Sequence, residues 1–361
     1  MGKARFFYQN MIADESMITV SSLRDGIVTT TLKEGTGSAS MSPSGAYTGA
    51  VDLEYTIEID SIAGGAEVGQ ATFKWTDGLG AWNATGVTTA ATAISLNNGV
   101  SIAFTSGSGA DFVVGDKWYF KGINLFNASK MIDLDRDHRY RSAALGSPNT
   151  ITINLGSARE VEAVILFDHN LTSGATILVD ADDAATFDSG DGGAPQFSES
   201  IAWASEKILH YLSTAATKRY WRISITDAAN TDAYIAVGEI FLGPYLELTR
   251  NYAEGYGDET QFLMDTNRTP YGIGKHRFYN AQRVFSFDFN DLTAADITSL
   301  RALIASVASR SLGTFNPFWM NIDSASASEF WLVEIESLPV QHRSVGFYNA
   351  SLVLTEALTS V

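Results

Sequence analysis

The sequence predicts a mainly β chain in three blocks, two β-sandwiches followed by an α+β unit. Three observations carry this. Apolar and polar residues alternate in run after run, the period of a half-buried strand. Turn dipeptides such as Asn98-Gly99 and Gly243-Pro244 punctuate the runs. One late stretch alone has convincing helical spacing. At roughly 100–200 residues per domain, 361 residues allow two to four such units.

The first block, from about Gly26 to Ile123, is rich in Gly, Ser, Thr and Ala. Glu54–Asp60 places Tyr55, Ile57 and Ile59 on one face and carboxylates and Thr56 on the other. Gln70–Trp75 repeats the pattern with Ala71, Phe73 and Trp75 inward. Ala93–Phe104 has two alternating runs around Asn97-Asn98-Gly99, and Asn-Gly supplies the positive φ angles of a type I′ hairpin turn. Lys117–Lys121 closes this compact sandwich.

The second block runs from about Leu125 to Leu246. Thr150–Gly156 alternates with Ile151, Ile153 and Leu155 inward. Val161–Phe167 is a continuous apolar run, which suits a strand covered on both faces. Asn170–Ile177 turns into a strand, and Arg219–Thr226 and Ala233–Gly243 are two more.

The third block follows Gly243-Pro244. Tyr252–Asp258 reads as a loop, and Arg283–Phe289, Phe330–Glu336 and Phe347–Leu354 as strands. Between them lies the helix. Thr293 is its N-cap, Asp296 completes a weak capping box, and Leu292 with Ile297 forms a hydrophobic staple. Ile297, Leu300, Ile304 and Val307 share its apolar face, and Gly313 stops it. No fixed-period repeat and no Pro-rich linker occurs, so the blocks are expected to be docked rather than tethered.

Composition narrows function. With no cysteine, disulfides, thiolate metal sites and cysteine nucleophiles are excluded. A net charge of −17 argues against nucleic acid and against anionic membrane surfaces. The N-terminus lacks a secretory apolar run, and Phe6 stands where a myristoylation signal needs Ser or Thr. No apolar run approaches a membrane-spanning length. A soluble protein made in the cytoplasm is expected.

In the second block Thr150–Gly156, Ala163–Ile177, Lys218–Thr226 and Tyr234–Gly243 together resemble the galactose-binding-like (discoidin-type) jelly roll. The His169-Asn170-Leu171 form of its loop is similar to that of bacteriophage tail proteins. Asn10–Ser22 resembles the opening of that fold, which makes the first block an insertion at a loop. The inserted run resembles a β-sandwich that recurs in phage virion proteins. The third block, with its strand pair, helix, Gly313–Met320 and late Val-Glu-Ile-Glu strand, resembles core modules of siphophage tail-tip proteins. The resemblance implies a jelly roll of residues 1–25 plus 124–246, an inserted sandwich of 26–123 and an α+β tail-assembly domain of 247–361. It further implies a structural component of a tail tip or baseplate, similar to a distal tail protein. Such a protein would be a homo-oligomer, as a hexamer or a trimer, touching tail tube, hub, fibres or a host glycan within the virion. The alternative is a glycan-binding, receptor-reading tail protein. A polysaccharide-degrading enzyme ranks behind both.

Candidate sites are weighed against plain structural roles. His169, Asn170, Trp203 and Tyr211 are the glycan-binding candidates, since sugars stack on exposed rings; His169 is otherwise a packed strand-end histidine. Trp221 is read as core. Phe315, Phe318 and Trp319 are candidates for a subunit interface, or for packing of the helix on its sheet. Asp133, Asp135 and Asp137 look like half of a calcium loop, but His138 and Ala144 stand where an EF-hand needs Gly and Glu. A solvated loop paired with Arg136, Arg139 and Arg141 is the preferred reading. Asp180, Asp182, Asp183 and Asp188 are read as a second solvated acidic loop. No G-x-S-x-G elbow and no H-E-x-x-H pair occurs, and Glu334 with Glu336 is the one carboxylate pair noted for catalysis. No cofactor is expected.

Overall fold

The computed structural model describes residues 2–49, 51–134, 138–146, 148–253, 255–268, 274–309 and 314–357. The chain is mainly β, its named strands pair antiparallel throughout, and one α-helix lies late in it. Among the described residues no helix is long and apolar enough to cross a membrane.

In the first block the alternating run becomes the strand Leu53–Ser61, flanked by Lys117–Ile123 and Thr72–Thr76 in a six-stranded sheet. Its inward residues Tyr55, Ile57 and Ile59 are buried with Phe73, Phe104, Trp118 and Phe120 against the sheet Ser40–Ser44, Ser101–Thr105 and Ile94–Ser95. Burial of each such large apolar side chain contributes about 1.5–3 kcal/mol. The hairpin at Asn98 and Gly99 has φ of 50° and 74°, as a type I′ turn requires.

The second block departs from its expected strand count. Thr150–Gly156 and Val161–Phe167 are two halves of one strand, Asn149–Phe167, and Arg219–Thr226 is the end of another, Lys207–Thr226. The two pair along their length, with register shifts between Asn154 and Arg159 and between Val161 and Ala163. The irregularity bends the sheet, so that both halves line one core: Ile151, Ile153 and Trp221 from one, Val164, Leu166 and Ile208 from the other. Val161, Val164 and Leu166 of this run face inward. Ala163 and Ile165 face outward onto Phe7, Trp319, Phe330 and Leu332 of the C-terminal unit. The continuous apolar run is therefore covered on both faces.

The third unit is an eight-stranded sheet with the helix Ala294–Val307 against it. The capping box of Thr293 and Asp296 is present. Leu303 is buried in the helix stripe beside Leu300, while Ile304 is half-buried against the same core. Tyr252 makes an isolated bridge to Phe289, and the strand Gly257–Arg268 begins within the segment expected to be a loop.

One further expectation is corrected. Arg5–Phe7, expected in the jelly roll, pairs with Phe318–Asn321 and Leu246–Glu247 in the C-terminal sheet. Alternation decides this: Phe6 drops into the C-terminal core, and Phe7 points to the junction with the second sandwich.

Candidate functional site

The site forms where the long strand pair of the second sandwich ends. After Phe167 the chain turns through Asp168 at φ 55°, and the facing strand starts after Glu206 at φ 65°. Both are non-glycine residues in the left-handed region, at a cost on the order of 1 kcal/mol each. The Asp168 N–H donates to the Glu206 carbonyl at 2.7 Å, and the Gly238 N–H donates to the Phe167 and Asp168 carbonyls at 3.1 Å each. A Cβ at Gly238 would stand 2.9 Å from that of Asp168, so the close approach needs glycine.

This turn presents His169-Asn170-Leu171. His169 is buried, and its Nδ1 accepts the Leu171 N–H at 3.2 Å. Burial holds its pKa below the usual histidine value, against the opposing pull of the Ala204 backbone and Asp168. Asn170 is a strut: both Nδ2 protons are donated, to Asp232 at 2.9 Å and the Tyr234 carbonyl at 3.0 Å, and Oδ1 accepts the Ala236 N–H at 2.7 Å. It positions the loop and has no donor left for a ligand. Trp203 differs. The residue is 36% exposed, while Nε1 donates to the Leu171 carbonyl at 3.0 Å. The hydrogen bond fixes the indole without covering it.

Beside this loop a half-open cleft of about 610 Å³ separates the sandwich from the C-terminal sheet. Arg139 Nε pairs with Asp168 at 2.6 Å on one wall. Lys207 Nζ donates to the Phe330 carbonyl at 2.7 Å and lies 4.0 Å from the centroid of the Trp331 ring. Burial lowers the Lys207 pKa, and Glu329 partly restores it. Glu206 and Glu356 complete the polar lining. Sequence reasoning missed Arg139, Glu206, Lys207, Trp331 and Glu356. They come from separate segments and carry no local motif; the one trace is a lysine opening an apolar strand.

Tyr211 does not join this site. It is half-buried in the junction between units, 6.0 Å from Phe7 and 5.6 Å from Tyr245 between ring centroids, with the Arg5 guanidinium 4.4 Å from its own. Burial pushes its phenol well above the usual value. Trp221 is fully buried.

The candidate interface residues Phe318 and Trp319 are likewise buried within the chain, Phe318 under the C-terminal sheet and Trp319 4.7 Å from Phe167 at the junction. They serve internal packing, because adjacent residues of one strand face the two cores in turn. The Phe315 side chain lies outside the described residues.

Asp135 and Asp137 also lie outside them, as does Arg136. Asp133 pairs with Lys130 at 3.0 Å, and Arg139 pairs with Asp168. Of the second acidic group, Asp180 and Asp182 are buried rather than solvated. Asp180 accepts from both Arg222 Nε and Nη2, at 3.1 and 2.8 Å, and Asp182 accepts the Ala184 and Ser189 N–H groups at 3.0 Å each. Asp183 pairs with Lys218, and Asp188 accepts from Thr186. Each carboxylate has its own partner, and among the described residues no group of three His, Asp or Glu is placed to hold a metal ion. Glu334 and Glu336 are exposed on the rim of a shallow depression.

No protein-family model matches the chain, and no curated protein matches it. Among solved structures it is similar to a GH29 fucosidase of Ruminococcus gnavus, solved with fucose, at 17% identity and a TM-score of 0.28, over 35% of this chain and 24% of that one. The chain thus spans about a quarter of that enzyme. Chitosan-binding module 1 of a chitosanase/glucanase from Paenibacillus sp. IK-5 is similar at 23% identity and a TM-score of 0.26, over 33% of this chain and 86% of the module. CpGH89CBM32-6 produced by Clostridium perfringens is similar at 11% identity and a TM-score of 0.24, over 31% and 81%.

Proposed function

We propose that the chain is a carbohydrate-binding protein and that a sugar stacks on Trp203 at the loop end of the second sandwich. The observation that carries this is the exposed indole held at Nε1. A sugar presents C–H groups that pack on an aromatic face, and a ring fixed in advance loses little conformational freedom on binding. The adjoining cleft, with carboxylates, a guanidinium and an ammonium, supplies hydrogen-bonding groups for hydroxyls.

Calorimetry against a panel of purified glycans tests this. Trp203→Ala is expected to weaken the wild-type ligand about tenfold or more, or about 1.4 kcal/mol, with unchanged thermal unfolding. Tyr211→Phe is expected to bind as wild type does. A Trp203→Ala variant that binds undiminished overturns the assignment.

A second reading, a structural component of a bacteriophage tail tip or baseplate, is favoured by one feature. Gly257–Arg268 and Gly274–Leu292 pair as a long ribbon, and the third strand, Phe347–Glu356, reaches it only from Val284 onward. Two-stranded ribbons are marginal alone in water. This one exposes Phe262 and Phe278, each 58% accessible, with ring centroids 6.2 Å apart. An exposed aromatic pair on such an arm suits contact with another subunit.

A further inference from the structure

Trp203 has a counterpart on the inserted sandwich. All seven tryptophans of the chain lie among the described residues, and Trp82 and Trp203 are its two exposed ones. Trp82 is 38% exposed in the loop between Thr72–Thr76 and Ala84–Thr88, beside Leu79 at 73%.

This loop is built to keep its shape. Asp77 is buried at its base, where Oδ1 accepts the Leu79 N–H at 3.2 Å and Oδ2 accepts Asn97 Nδ2 at 2.7 Å and Asn83 Nδ2 at 3.3 Å. The Asp77 N–H donates to Asn83 Oδ1 at 3.1 Å, and Asn97 Oδ1 accepts the buried Tyr55 hydroxyl at 2.8 Å. The loop is thereby tied to the sandwich core. These bonds hold Asp77 ionised: burial raises its pKa, but the donors from Asn97, Leu79 and Asn83 outweigh that and bring it below the usual carboxylate value. A buried charged network that serves only to display an apolar tip is expensive unless the tip has work to do.

We infer that Trp82 is a second sugar platform and that the ligand is a polysaccharide long enough to engage both units. This rests on the carbohydrate reading. The ligand is assigned as uncharged. The net charge of −17 is the reason, since it repels an acidic polymer from the chain as a whole; Lys74 Nζ, 4.3 Å from the Trp82 ring centroid, shares Glu58 with Lys117 at 3.2 and 3.4 Å. Two modest contacts on one polymer add by effective concentration, which raises avidity by about 10²–10⁴ over either alone.

The test uses the full chain and its Trp82→Ala, Trp203→Ala and doubly substituted variants. Each is measured on immobilised mannan, dextran and galactan and on short oligosaccharides of the same sugars. Trp82→Ala is expected to lose about 10²-fold or more on the polymer, while its oligosaccharide affinity at the Trp203 platform is unchanged. Binding is expected to be insensitive to added salt. If Trp82→Ala holds the polymer as wild type does and Trp203→Ala does not, the second platform is refuted and the carbohydrate reading stands. If the wild type holds none of the polymers or oligosaccharides, both fall.

Discussion

Asp182 keeps its charge with no exposed surface. Burial pushes its pKa up, but the N–H groups of Ala184 and Ser189 outweigh this and bring it down to about 2. A folded pKa below the unfolded one means stability that is present above about pH 4 and lost as the pH falls through about 2. Asp182→Ala leaves two backbone donors without their acceptor and is expected to cost about 1–3 kcal/mol at neutral pH, read from the urea midpoint. The gap to wild type should close toward pH 2. His169 acts in the same direction at higher pH. Its pKa is lowered by burial, so protonation opposes the fold as the pH drops below about 6.5. At this scale the sequence was a partial guide. Trp221 was legible as core from alternation, and Trp203 as less buried from its loop. Asn170 was not legible as a strut, because the three partners of its side chain are set by the folded loop and not by neighbours in sequence.

The helix Ala294–Val307 shows what a local signal can do. Thr293 Oγ1 accepts the Asp296 N–H at 3.2 Å, and Asp296 Oδ2 accepts the Thr293 N–H at 2.9 Å. Asp296 also accepts the Thr249 N–H at 2.9 Å, which ties the helix start to the chain leaving the sandwich. Thr293→Ala is expected to lower stability by about 0.5–2 kcal/mol. Asp296→Ala should cost more, since it releases Thr249 as well; thermal unfolding of the two variants ranks them. Strands whose partners lie in the same block were readable because alternation needs no knowledge of the partner. Arg5–Phe7 was not, since three residues are too few for a period. The bulge that joins two predicted strands into Asn149–Phe167 was missed for a different reason: Gly156 and the polar residues after it look like a turn, and only the facing strand shows that the ladder continues.

The whole molecule is held by a junction as well as by three cores. Phe7, Ile165, Phe241, Trp319 and Phe330 bury one another between the second sandwich and the C-terminal sheet, with the cleft opening at the edge of that contact. Of the cleft's lining His169 alone was singled out beforehand, because the two walls meet only after two units dock. On the same scale the ribbon leads to an expectation about assembly. If it is a subunit contact, mass photometry of the wild type shows an oligomer that the Phe262→Ser/Phe278→Ser pair dissociates, with glycan binding per chain retained. A wild type that stays monomeric removes self-association through this arm. The placement of Arg5–Phe7 also orders events in time. This strand is synthesised before its partner Phe318–Asn321 by about 310 residues, which at about 5–20 residues per second is a wait of tens of seconds. Meanwhile Phe7 can meet Ile165 and Phe241 of the second sandwich and the strand can meet Leu246–Glu247, but Phe6 waits for its core, flanked by the charges of Lys3 and Arg5 that discourage premature pairing. The C-terminal sheet is sealed only when Phe318–Asn321 has emerged, so a nascent protein stalled before Phe318 would leave Phe6 without the core it belongs to and is the form a chaperone should recognise.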